Sequence, residues 1–188
     1  MTNQFPGLAR GPIDHDASSV INVIANDAIT MGSVVNLKDL ISPSVPAELL
    51  PRVDETLTNN LVTGLEPAYG IAVGGDIDGI YGDGSAATGP ENQAASGAGE
   101  GVVVVTQGRC LARVTGNDST GAGTGEDIEV GDPLTMSFVT LAVGSANGVL
   151  FKADTAVSGQ LIVARALQKV LALADDIIAV DFQREGFT

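Results

Sequence analysis

The stretch GVVVVTQGRCLARVT, residues 101–115, decides the fold class. Val102 to Val105 are four consecutive β-branched residues, a composition that favours a pleated strand, and a run without polar alternation needs burial on both faces. A central strand over Val102–Thr106 is the reading. Arg109 to Thr115 alternates as a half-buried strand does, and Gly108 between the two segments predicts a turn, hence a hairpin.

Further short strands flank this one. Upstream, Val20 to Ile24 and Val34 to Leu37 are apolar, largely β-branched runs separated by a turn at Gly32, and Tyr69 to Val73 reads as a short buried strand. Downstream, Ile128 to Val130, Leu134 to Ser137 and Val149 to Lys152 recur between turn signals, and Ile178, Val180 and Phe182 alternate with Ala179 and Asp181. Many short strands at turn-separated intervals point to an all-β barrel or sandwich. The segment Leu161 to Ala174 is ambiguous by period: it is rich in helix formers, yet a strand also fits.

Between these runs lie segments of other character. Residues 1–17 have no period and carry two prolines and two glycines, which predicts an extended N-terminal arm, with Phe5 and Leu8 available to a partner. Residues 18–188 then form one β-rich domain. Within it, residues 41–66 are a Pro-rich excursion, with Pro43, Pro46 and Pro51 limiting any helix to a turn or two around Ala47–Leu50 and Arg52–Leu57. Residues 82–101 are a Gly/Ala/Ser segment expected as a long loop or hairpin tip, because it offers little apolar surface to offset its ordering entropy. A second Gly-rich loop spans residues 116–127.

Composition narrows the function. The chain has 188 residues, 24 glycines, no Trp and 4% aromatics, so its core is built from Val, Ile, Leu and Ala. Lys and Arg total 9 against 23 Asp and Glu, a net charge of −14. Such a surface repels phosphate backbones and anionic headgroups, so neither nucleic acid nor membrane is an expected partner. The acidic, Lys-poor bias fits a halophilic habitat, since at ~1 M salt the screening length falls to about 3 Å, and fits equally an ordinary acidic surface that favours solubility. No stretch reaches the ~18 apolar residues of a membrane span, and no secretion signal is evident at the start.

Candidate chemistry is sparse. His15 is the only histidine and Cys110 the only cysteine, so there is no intrachain disulfide and no four-ligand zinc set. His15 sits in the irregular arm, where a general base would lack fixed geometry, and Cys110 reads as a small buried hydrophobe. Asp76, Asp78 and Asp83 among glycines could offer oxygen ligands to calcium, but they lack the EF-hand spacing and its closing Glu. Glu126, Asp127, Glu129 and Asp132 form a second acidic cluster, also read as solvated. GSAATG at 84–89 has phosphate-loop glycine spacing, but Pro90 and Glu91 stand where Lys and Ser or Thr would bind phosphate and magnesium. With no Trp and two tyrosines, Tyr69 and Tyr81, aromatic sugar platforms are scarce. No catalytic, cofactor-binding or metal residue is assigned, and the chain is expected not to be an enzyme.

An ordered series of phrases does resemble a known family. IANDAITMGSVVNL, AYGIAVGGDIDG, VVVVTQGRCLARV, IEVGDPLTMS, GQLIVARALQ and DDIIAVDF together cover most of residues 20–183. In order and spacing they resemble the capsid decoration (cement) proteins of tailed viruses, of phages or haloarchaea. The resemblance implies a compact β-barrel or β-tulip-like domain on the outer capsid surface of a virion. Its partners would be the major capsid protein and other copies of itself, commonly in a homotrimer, with no cofactor. It also implies that VARALQ is a strand. An exposed turret or spike-base module that binds the host surface is the alternative. The Pro-rich excursion and the 82–101 loop are departures from shorter members.

Overall fold

The computed structural model describes residues 19–38, 51–55, 68–75, 94–96, 99, 101–117, 124–136, 148–154 and 161–187. These residues are all-β, with no helix among them. The strands are β1 (Ser19–Ala25), β2 (Ile29–Thr30), β3 (Val34–Lys38), β4 (Arg52–Glu55), β5 (Gly70–Gly75), β6 (Ala94–Ser96), β7 (Gly101–Thr115), β8 (Pro133–Met136), β9 (Leu150–Lys152), β10 (Leu161–Ala166) and β11 (Asp175–Phe187).

The pairings close two five-stranded rings that share β7. One ring runs β1-β4-β3-β5-β7 and returns to β1; the other runs β7-β11-β10-β8-β9 and returns to β7. The ends of β7 are divided between them. Val102 to Val105 pair with β1 on one side and β5 on the other, whereas Gly108 to Thr115 pair with β11 and, at Val114 and Thr115, with β9.

Gly108 therefore corrects the expected hairpin. Its φ is positive, 105°, but the chain continues beyond it as the same strand. Gly adopts this conformation without a Cβ penalty, and one such residue re-aims a strand where a tight hairpin turn needs a two-residue reversal. At Gly108 β7 leaves the first ring and enters the second.

Two hydrophobic cores follow from the two rings. Val23, Ala25, Val35, Val53, Ala72, Val102 and Val104 come from all five strands of the first ring and pack together with Ile29. The larger core takes Cys110, Ala112, Val114, Leu134, Met136, Leu150, Val163, Ala166, Ile178, Val180 and Phe182 from the second. Val34, Ile71, Val73 and Val105 join this larger core although they belong to the first ring. The neighbouring strands β3, β5 and β7 thus form a wall whose two faces serve different cores, as alternating side chains require. This is the physical content of the unbroken valine run.

Backbone and side-chain hydrogen bonds tie the rings together beside this wall. Arg113 N–H donates to Gly32 O at 2.9 Å and Val34 N–H to Gly148 O at 2.8 Å. Arg113 Nη1 donates to Ser33 Oγ at 3.2 Å, and Ser33 Oγ donates to Glu55 Oε1 at 2.9 Å.

Other expectations change in detail. Arg52–Glu55, read as a possible helical turn, is strand β4: fully buried Val53 pairs with Ala25 on one side and Leu37 on the other. Four residues carry too little period to reveal this, and the deciding contacts are tertiary. Within the 82–101 segment, Ala94–Ser96 pairs with β2. Ile128–Val130 is not a strand; Ile128 makes an isolated bridge with Val170. The ambiguous segment resolves into strand β10, that bridge, and a turn leading to β11, so VARALQ begins as the strand its resemblance implied. The N-terminal arm and the Ala47–Leu50 turn lie outside the described residues.

Candidate functional site

Several sequence candidates fall outside the described residues: His15, Asp76, Asp78, Asp83, Tyr81 and the 84–89 glycine segment. Of those described, Cys110 is fully enclosed in the larger core as a free thiol, and burial, assisted by the Asp181 charge, pushes its pKa far up. That is the reverse of a nucleophilic cysteine, which needs a stabilised thiolate. Tyr69 packs against the smaller core.

The acidic cluster Glu126, Asp127, Glu129 and Asp132 is brought together at one end of the second ring, and lysines occupy it. The Ile128–Val170 bridge turns both apolar side chains inward, where each is buried, so their neighbours face out. Lys169 Nζ lies 2.6 Å from Glu129 Oε1 and 2.9 Å from Asp127 Oδ2. Lys152 Nζ lies 3.0 Å from Asp132 Oδ2 and 3.4 Å from Glu126 Oε2, and donates to Asp127 O at 3.1 Å. Hydrogen bonds from Lys169 and the Ala172 N–H hold Asp127 below the usual aspartate range. For Asp132, partial burial acts upward but is outweighed by the Glu129 N–H and Lys152, so its pKa is also lowered. Lys152 is raised chiefly by its hydrogen bond to Asp132, and Lys169 by those to Glu129 and Asp127. Among the described residues no group of three or more His, Cys, Asp or Glu is arranged to hold a metal ion.

Beside this network stands a feature the sequence did not announce. The turn Val170–Ala174 presents Leu171 and Leu173 to solvent, 61% and 59% exposed, and the neighbouring turn presents Val130 at 66%. The turn is nonetheless firmly held. Ala174 N–H donates to Leu171 O at 3.1 Å, Leu173 N–H to Gly116 O at 3.1 Å, and Gly116 N–H to Ala174 O at 2.8 Å. Ala172 N–H donates to Asp127 Oδ1 at 2.9 Å. The glycines of the second Gly-rich loop explain the fit: a Cβ on Gly116 would lie 2.2 Å from Leu171 O, and one on Gly125 would lie 2.7 Å from Leu173 N. Leu173 itself has φ 63°, the one described non-glycine residue in the left-handed region. A branched side chain there is strained by roughly 1–2 kcal/mol.

Sequence reading missed Leu171 and Leu173 because apolar residues in a segment of ambiguous period are assigned to a core by default. Asp175 and Asp176 directly after the segment were the available signal, since a strand that starts with two charges is preceded by surface.

No protein-family model matches the chain, and no curated protein matches it. Among solved structures it is similar to the N-terminal base of the head fibre of bacteriophage phi29. The TM-score is 0.44 and the identity 9%, over 90% of this chain and 98% of the other.

Proposed function

We propose that this protein is a structural component of a tailed-virus particle, non-catalytic, that decorates the outer capsid and stabilises it by bridging major capsid subunits. The observation that supports the reading is where the decoration-family phrases fall. IANDAITMGSVVNL covers the end of β1, β2 and most of β3. AYGIAVGG covers β5, VVVVTQGRCLARV lies within β7, and IEVGDPLTMS runs from the Ile128 bridge through β8. GQLIVARALQ contains β10, and DDIIAVDF opens β11. The resemblance thus lies on the scaffold of both rings and their shared wall, not on scattered loops.

Decoration needs many modest contacts repeated by symmetry, and avidity then replaces tight single contacts. A homotrimer is part of the proposal. Its subunits carry 14 net negative charges each, so it should associate more tightly as salt screens their repulsion.

Quantitative mass spectrometry of purified particles tests the function. Copies in fixed, near-stoichiometric ratio to the major capsid protein support decoration. A few copies per particle would favour the turret or spike-base reading, and absence from particles would refute both.

A further inference from the structure

We propose that the end of the second ring, the Leu171–Leu173 tip, is the surface that docks on the capsid subunit. Its partner surface would be an apolar socket rimmed by Lys and Arg. This rests on the decoration reading above and adds to it the contacting residues and the chemistry of their partner.

Two independent features single out the tip. The first is strain. Position 173 has the backbone conformation for which glycine is the natural residue, yet it carries a leucine whose side chain is mostly in water, so the fold gains little from it. Strain held in place by a well-bonded surrounding is characteristic of contact sites. Here the surrounding is a set of hydrogen bonds that fix the tip before any partner arrives: Gly116 O accepts from Leu173 N–H, Gly116 N–H donates to Ala174 O, and the Asp127 carboxylate accepts from Ala172 N–H. Preorganisation of this kind lowers the entropic cost of association.

The second feature is charge, which identifies the occupant. The segments that flank and hold the tip carry Glu126, Asp127, Glu129, Asp132, Asp175 and Asp176, and the described cations bonded along them are Lys152, Lys169 and Arg165. The carboxylates outnumber the cations two to one. A second copy presenting the same face would bring like charges together, whereas a basic-rimmed surface is drawn to it. Exposed Leu37 on the first ring lacks the left-handed backbone, and the charges beside it include the Lys38–Asp54 ion pair rather than a two-to-one excess of carboxylates, so it serves as the control.

The test uses the full chain and capsid shells of the source virus stripped of this protein, with co-sedimentation for binding and sedimentation velocity for self-association. Leu173→Gly should keep the melting temperature within about 3 °C of wild type, because relief of strain offsets the lost partial packing and the looser unfolded chain. It should weaken shell binding about tenfold or more, the scale of a contact anchor. Leu171→Ser with Leu173→Ser should weaken it further, Leu37→Ser should leave it unchanged, and added salt should loosen wild-type binding. Wild-type affinity in both tip variants would overturn the proposal while leaving decoration intact. Loss of self-association with shell binding retained would reassign the tip to a joint between copies and overturn it too. Binding that strengthens with salt would remove the basic partner. Failure of the wild-type protein to bind shells would instead refute the decoration reading on which the proposal rests.

Discussion

Val104 and Val105 are consecutive residues of β7, both fully buried, and they are buried in different cores. Val104 packs with Val23, Val53 and Ala72 inside the first ring, while Val105 packs with Ile71 and the residues of the second. The two rings therefore share a wall one strand layer thick, and neither core is complete without β7.

Truncating either valine should destabilise the whole protein. Val104→Ala and Val105→Ala are each expected to cost about 1.5–3 kcal/mol, from lost transfer energy plus a residual cavity. Because the wall is shared, urea unfolding followed by two probes, one in each ring, should give one coincident transition in both variants. Two separated transitions would show that the rings unfold independently.

The distance between β5 and β7 depends on Gly70. A Cβ there would lie 2.4 Å from Val104 Cγ1 and 2.5 Å from Val105 O, and backbone on the facing strand cannot yield as a flexible side chain would. Gly70→Ala should cost about 3 kcal/mol or more. Gly131→Ala is the comparison: its φ is 94° but nothing lies within 4 Å of an added Cβ. Strain alone, about 1 kcal/mol, is expected there. Equal losses in the two variants would show that close approach is not what Gly70 provides.

Much of this architecture was legible in the sequence. The unbroken run Val102–Val105 announced a strand buried on both faces, and Ile178, Val180 and Phe182 announced the inward face of β11. What escaped was decided by contacts distant in the chain. Arg52–Glu55 has no readable period, and it becomes a strand because Val53 completes the first ring between Ala25 and Leu37. Gly108 was read as a hairpin turn and instead bends a continuous strand, because whether a glycine reverses a chain or bends it depends on the partners waiting on either side. The acidic cluster at 126–132 was visible as charge. Its pairing with Lys152 and Lys169 was not, since those lysines lie about 20 to 40 residues further on.

The lysine–carboxylate network should give a broad pH plateau of stability. Asp127 and Asp132 have lowered folded pKa values, so their contribution is present above the ordinary value of 3.8 and is lost as pH falls through the lower folded values. Lys152 and Lys169 are raised, so theirs is complete below 10.5 and is lost as pH rises beyond it. The groups are exposed or only partly buried, and the effect should be small and salt-screened. Melting temperature measured against pH should show a shallower acid limb in Lys169→Met, and the difference from wild type should shrink in ~1 M salt.

Cys110 should be silent in the folded protein. Its thiol is enclosed in the larger core and its pKa is pushed far above the usual cysteine range, so the thiolate is scarce and inaccessible. A thiol-specific chromogenic reagent at neutral pH should label it only after denaturant is added. Rapid labelling of native protein would mean that the larger core opens readily.

Electron cryo-microscopy of purified particles measures the central claim most directly. Averaged density for this all-β fold is expected on the outer face of the shell, repeated about a symmetry axis and spanning the joints between major capsid subunits. Density confined to a single vertex, at a tail or inside the shell would contradict it.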